Sequence, residues 1–87
     1  MSSSSLISAQ IRAARALLRW SAEELARRAS IGVTTIRRAE LSERGTSMTT
    51  ANDLAVRRAF ETAGVEFIDE NGGGPGVRLR NNSGQKK

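Results

Sequence analysis

From Ile7 to Ala63 apolar residues recur at intervals of three and four, and from Val65 onward they alternate with polar ones. The first period is that of helices with one buried face, the second that of strands. Ile7, Ile11, Ala14, Leu17 and Leu18 predict a helix from about Ser8 to Arg19, with Arg12, Arg15 and Arg19 mostly on its other faces. Ser21, followed three residues later by Glu24, is a capping-box pair that starts a second helix. Trp20 before the cap and Leu25 after it are spaced for a hydrophobic staple. Leu25, Ala26 and Ala29 form the buried side of this helix. Ser30-Ile31-Gly32 reads as a turn, with Gly32 free to take unusual backbone angles and to cap the next helix.

A third helix is expected from about Val33 to Glu40, with Ile36 and Ala39 inward and Thr34, Arg37 and Arg38 outward. Leu41 to Thr49 is a polar connection containing Gly45. A fourth helix starts at Thr49 or Thr50, with Thr50 and Asp53 as its capping box. Leu54, Val56, Ala59, Phe60 and Ala63 supply its apolar side, and Gly64 stands where a C-cap belongs. The segments Val65–Ile68 and Val77–Arg80 then flank a glycine-rich link, the pattern of a β-hairpin. In it Val65 and Phe67 share a face with Val77 and Leu79, and Glu66 faces Arg78 or Arg80. The expected organisation is a disordered lead-in over 1–6, a helical domain over 7–64, the hairpin over 65–80 and a disordered basic tail over 81–87. The fold class is mainly α, four to five helices with a C-terminal β-hairpin.

Eighty-seven residues make one domain with a small core, so dimerisation would add stability. The formal charge is +5, which matches a polyanionic partner better than a neutral one. The chain has no Cys, no His and no Tyr. The thiolate ligand, the usual general base and the commonest metal ligand are therefore missing, and neither an enzyme, a metal site nor a cofactor is expected. The glycines at 72–74 lack the Gly-Lys-Ser/Thr ending of a phosphate loop, and Asp69-Glu70-Asn71 lacks the alternating ligands of a calcium loop. Met1 to Ser5 has neither the basic nor the apolar region of a signal peptide, and no run approaches the roughly 20 apolar residues of a membrane span. The expected location is the cytoplasm, without a membrane partner.

The informative block is residues 20–40: a capped helix, a tight turn, and a second helix with an exposed Thr and Arg face. Ala26 permits close helix approach, and Leu25 and Ile36 fill the shared core. The N-terminal half of the third helix is then free to enter a DNA major groove about 12 Å wide. Val33 and Thr34 offer methyl groups to thymine, Thr34 and Thr35 offer hydroxyls, and Arg37 and Arg38 offer paired donors to guanine. The helix start at Ser21 suits a phosphate. Arg27 and Arg28 read as a solvated face, and Trp20 as a packing residue.

Ser21, Glu24, Leu25, Ala26, Ile31, Thr35, Ile36 and Glu40 fall at matching positions of the pattern [ST]-Q-x-E-L-A-x-x-x-G-[VI]-S-x-x-[ST]-I-x-x-[IWL]-E. Residues 7–64 thus resemble the lambda-repressor-like, or Cro/cI (XRE), helix-turn-helix family. The resemblance implies double-stranded operator DNA as partner, binding as a homodimer, an Arg15–Glu40 ion pair bracing the third helix, and backbone contacts from Arg44, Thr46 and Ser47. It also implies a transcriptional regulator, by default an autorepressor, with a repressor/activator switch as the alternative; for activation RNA polymerase would be a further partner and Glu23 and Glu24 the candidate contacts to it. Residues 63–80 are similar to the tail of short bacterial regulators of this family, some of which control mobile elements.

A two-stranded hairpin is marginal alone. Val65, Phe67, Ile68, Val77 and Leu79 are therefore expected to help build a dimer interface. Three departures from the pattern carry weight: Ala22 replaces the Gln, Ser30 the turn Gly, and Gly32 the cap Ser. Ala22 and Gly32 favour a rival class, a protein-interaction module such as an antitoxin or anti-activator. No small-molecule ligand is expected.

Overall fold

In a computed structural model that describes residues 6–80, helices α1 (Ser8–Leu18), α2 (Ala22–Ala29), α3 (Val33–Leu41) and α4 (Thr50–Thr62) precede strands β1 (Val65–Ile68) and β2 (Gly76–Leu79). The described residues thus form the mainly helical domain with a C-terminal hairpin that the periodicity predicts. The expected disorder of residues 1–5 and 81–87 lies outside the described residues. Leu6, assigned above to the lead-in, belongs to the core at 1% exposure.

The helix ends show which signals act. Ser21 caps α2 by accepting a hydrogen bond from the Glu24 amide at 2.9 Å. The Glu24 carboxylate is taken by Arg27 and Arg28 instead of completing the capping box. At the other end of α2, Ser30 takes the left-handed conformation, with φ 59° and ψ 44°, while the Ile31 amide reaches the Ala26 carbonyl at 3.0 Å. Gly32, expected to use unusual angles, has an ordinary φ of −62° and caps α3 without a side chain. The strained position of the turn is therefore Ser30. We expect Ser30→Gly to stabilise the domain by about 0.5–1 kcal/mol, the left-handed penalty less the extra entropy of glycine. Thermal unfolding followed by circular dichroism should show a melting temperature higher by roughly 3–8 °C.

α4 starts one residue before the expected capping box. Thr49 is its cap, accepting from the Asn52 amide at 3.1 Å. Asp53 instead accepts the Thr46 hydroxyl at 2.6 Å. Val56 and Phe60 are fully buried, whereas Leu54, expected on the apolar side, is 46% exposed. Leu17 of α1 is likewise 40% exposed, so the buried face of α1 is narrower than its apolar pattern. α4 ends before Gly64, whose φ of 103° supplies the reversal into β1.

β1 and β2 pair antiparallel, with Val65 opposite Leu79, Glu66 opposite Arg78 and Phe67 opposite Val77. Arg78 Nε meets Glu66 Oε1 at 3.0 Å, and this bond holds the Glu66 carboxyl below its usual range. Val65 and Phe67 lie in the same core cluster as Leu6, Ile11, Leu25, Ile36, Val56 and Phe60. Three aromatic rings tie the elements together. Trp20 stacks on Phe60 with centroids 5.5 Å apart, and Phe67 meets Phe60 edge-on at 5.9 Å. Arg28 covers the Trp20 ring at 4.6 Å and Arg57 the Phe67 ring at 5.2 Å. Gln10 fastens the hairpin mouth to α1: its amide nitrogen donates to the Gly76 carbonyl at 3.1 Å and to the Ile68 carbonyl at 3.4 Å, while its oxygen accepts from the Ile7 amide at 3.0 Å.

Candidate nucleic-acid interface

α3 owes its position to apolar contacts on one side and an ion pair at its end. Ile36 and Ala39 are buried, and Ala26, 7% exposed, faces the same core from α2. At the end of α3 the Glu40 carboxylate receives Arg15 Nε at 2.7 Å and Arg15 Nη2 at 2.8 Å. The third nitrogen of Arg15 donates to the Trp20 carbonyl at 2.9 Å, and Arg12 donates to the Glu40 carbonyl. One guanidinium thus links α1, the α1–α2 turn and α3. Its paired, planar geometry is the strong form of such a contact.

The Glu40 side chain is only 10% exposed and that of Arg15 25%. Removing one partner leaves a mostly buried charge without its counter-charge, which costs less here than in a fully enclosed pair. Glu40→Ala should therefore destabilise by about 2 kcal/mol, roughly 10 °C in melting temperature. A double-mutant cycle with Arg15→Ala should recover most of that as coupling.

The outward face of α3 carries Thr34, Arg37 and Arg38, all exposed. Thr35 is half-buried, and Val33 packs partly against the core while remaining half accessible. Among the described residues Arg38 has no ion-pair or hydrogen-bond partner for its guanidinium. Arg37 does: its Nη2 donates to Oε2 of Glu23, so this α2 carboxylate restrains one of the two outward arginines. Ser21, exposed at the start of α2, accepts the Glu24 amide and keeps its own O–H available.

The connection between α3 and α4 is built against the start of α1. The Ser8 amide donates to the Arg44 carbonyl at 2.8 Å, and its hydroxyl donates to Ala39 O at 2.6 Å with Gly45 O at 3.1 Å. Ile7 and Gly45 form an isolated antiparallel bridge. The Arg44 side chain is exposed, as is Ser47, whose φ is 65° and whose hydroxyl pairs with that of Ser42 at 3.2 Å.

Thr46, expected among the backbone contacts, is 2% exposed. Its hydroxyl donates to Asp53 and accepts the Met48 amide at 3.2 Å, so its role is to shape the connection. Burial pushes the Asp53 carboxyl up, against the opposing pull of the Thr46 hydroxyl.

The hairpin also corrects an expectation. Val65 is fully buried and Phe67 is 8% exposed within this chain, so neither side chain is offered to a second copy. Ile68 and Val77 are half-buried, and Leu79 is 49% exposed. The apolar face of the hairpin closes the core over α1 and α4, because four short helices leave that side open.

Glu23 and Glu24, considered above as polymerase contacts, are committed to Arg37 and to Arg27 with Arg28. The glycine link is held internally, Glu70 Oε2 accepting the Gly72 and Gly74 amides at 3.3 and 3.2 Å. Among the described residues no group of three or more acidic, His or Cys side chains is placed to hold a metal. No helix among them is long and apolar enough to cross a membrane.

Four positioning residues were missed in the sequence: Leu6, Ser8, Gln10 and Glu23. Ser8 and Gln10 sit in the first turn of a helix, where a polar residue reads as solvated; nothing local announces partners 31 to 66 residues away. A family model described as helix-turn-helix matches residues 11–56, a little over half of the chain. No curated protein matches the chain.

Proposed function

The chain belongs to the Cro/cI (XRE) type of the helix-turn-helix family of DNA-binding regulators, and we propose that it binds one operator sequence as a homodimer and represses transcription there, its own included. The observation that carries this reading is the α3 face: Thr34, Arg37 and Arg38 project outward from a helix clamped at its far end by Arg15 and Glu40. Thr34, Thr35 and Val33 would touch bases or methyl groups, Arg37 and Arg38 guanine edges, and Ser21, Arg44 and Ser47 phosphates.

Repression needs only occupancy of the promoter by the protein. It therefore fits a chain whose acidic α2 residues are already paired internally. The site of action would be the bacterial cytoplasm, and the level of the protein itself would set the response.

Dimerisation would use what the hairpin leaves outside. In a two-stranded sheet each strand keeps one unpaired edge, and Leu79 is the exposed apolar residue next to it. Truncation after Gly64 would also strip Val65 and Phe67 from the core, so Leu79→Lys is the cleaner probe. Sedimentation equilibrium should show it as a monomer at concentrations where the parent dimerises.

Selection from a random duplex pool tests the reading as a whole. It should return an inverted repeat with half-site centres about 34 Å, one helical turn, apart. A pool without an enriched sequence would transfer the assignment to the protein-interaction class.

A further inference from the structure

The two outward arginines of α3 are not equivalent. The Arg38 guanidinium has no partner among the described residues, whereas that of Arg37 is hydrogen-bonded to Glu23 across the α2–α3 turn. The other α2 carboxylate, Glu24, is occupied by Arg27 and Arg28, so Glu23 alone faces α3. The Arg37 and Glu23 side chains are 54% and 62% exposed. Such an exposed pair adds little to folding, and what it does alter is the availability of Arg37 to DNA.

The geometry points to Glu23 as a specificity-determining residue that withholds Arg37 from phosphates and presents it to a base edge. The inference rests on the operator reading above. A guanidinium has five N–H groups in one plane, and the contact to Glu23 uses one nitrogen. A guanine edge asks for two donors in a fixed fork, which the remaining N–H groups can supply with the pair intact.

A phosphate draws Arg37 chiefly by charge, and Glu23 opposes that in two ways. Its own charge offsets that of Arg37, and it repels the phosphate itself. Non-cognate DNA therefore gains little from Arg37, while a site with guanine at the right step gains fully. Arg38, with no such restraint, contributes to both kinds of binding.

The test is Glu23→Gln, measured by fluorescence anisotropy on the site returned by selection and on a scrambled duplex of equal length. Both side chains are exposed, so folding is preserved and is checked by circular dichroism. Affinity for the scrambled duplex should rise about 3- to 10-fold, and its log–log salt slope should steepen by about one unit as a further cation engages phosphate. Affinity for the selected site should rise less, so the ratio between the two falls several-fold.

In an Arg37→Ala background the same substitution should change the ratio by less than about 1.5-fold, since no cation remains to be released. An equal change in both backgrounds would show a general effect of negative charge and would overturn the inference alone. A parent chain that prefers no sequence at all would overturn the operator reading and the inference with it.

Discussion

Replacing Arg37 and Arg38 together by alanine should cost about 10²–10³ in affinity for the selected operator while leaving the fold unchanged. Each well-formed arginine–guanine fork discriminates by roughly 1–3 kcal/mol, and tenfold in affinity is about 1.4 kcal/mol. Both side chains are exposed on α3 and neither enters the core. The melting temperature should therefore stay within the shift of an ordinary surface substitution, about 0.5 kcal/mol. Affinity for scrambled DNA should fall much less, with a salt slope flatter by about one unit, since Glu23 already withholds Arg37 from phosphate. A uniform loss on both duplexes would mean that the arginines meet only phosphate. The single variants should differ in kind, with Arg38→Ala weakening scrambled-DNA binding more than Arg37→Ala, because Glu23 already restrains Arg37.

The largest effect on stability is expected from Phe60→Ala. Phe60 is fully buried, lies between Trp20 and Phe67, and joins α4 to both the α1–α2 turn and β1. Truncating such a ring leaves a cavity that costs about 3–5 kcal/mol. A domain of this size holds only about 4–13 kcal/mol in total, so the variant loses a large share of its stability and, at the lower end of that range, is unfolded at 37 °C. Urea titration should move the midpoint sharply downward. Trp20, the single tryptophan, should report the loss directly through a red-shifted emission. Phe60→Leu keeps most of the volume and should lose far less. A loss below about 1 kcal/mol for the alanine variant would contradict the packing of Phe60 between Trp20 and Phe67.

The four helices and both strands could be read from the sequence because each has its own period and punctuation. Ser21, Gly64 and the alternation of residues 65–68 act locally, and local signals survive without tertiary knowledge. The Glu66–Arg78 pair across the hairpin was legible from strand alternation, whereas the Arg15–Glu40 pair was legible only through a family pattern.

Elsewhere tertiary packing decided between local options. The cap of α4 is Thr49 and not Thr50, because the Thr46 hydroxyl takes the carboxylate that a Thr50 capping box would have used. Ser30 accepts a left-handed angle that a glycine two positions later does not need, because α2 ends there to bring Ile31 back over Ala26. The hairpin residues Val65 and Phe67 turn inward because the helices leave one side of a small core uncovered. That need for burial within one chain looks in the sequence like surplus apolar surface for a partner. The Glu23–Arg37 pair was invisible for a simpler reason: residues 14 positions apart carry no spacing signal across a turn.

The central claim, that the α3 face reads a particular DNA sequence, is tested most directly by anisotropy titration of the full chain at about 150 mM salt. The two ligands are the duplex returned by selection and a scrambled version of equal length and composition. An affinity ratio of about 10³ or more, the range of site-specific regulators, is what the account predicts. Equal, weak and steeply salt-dependent binding to both would contradict it and leave only the attraction of a +5 chain for phosphate.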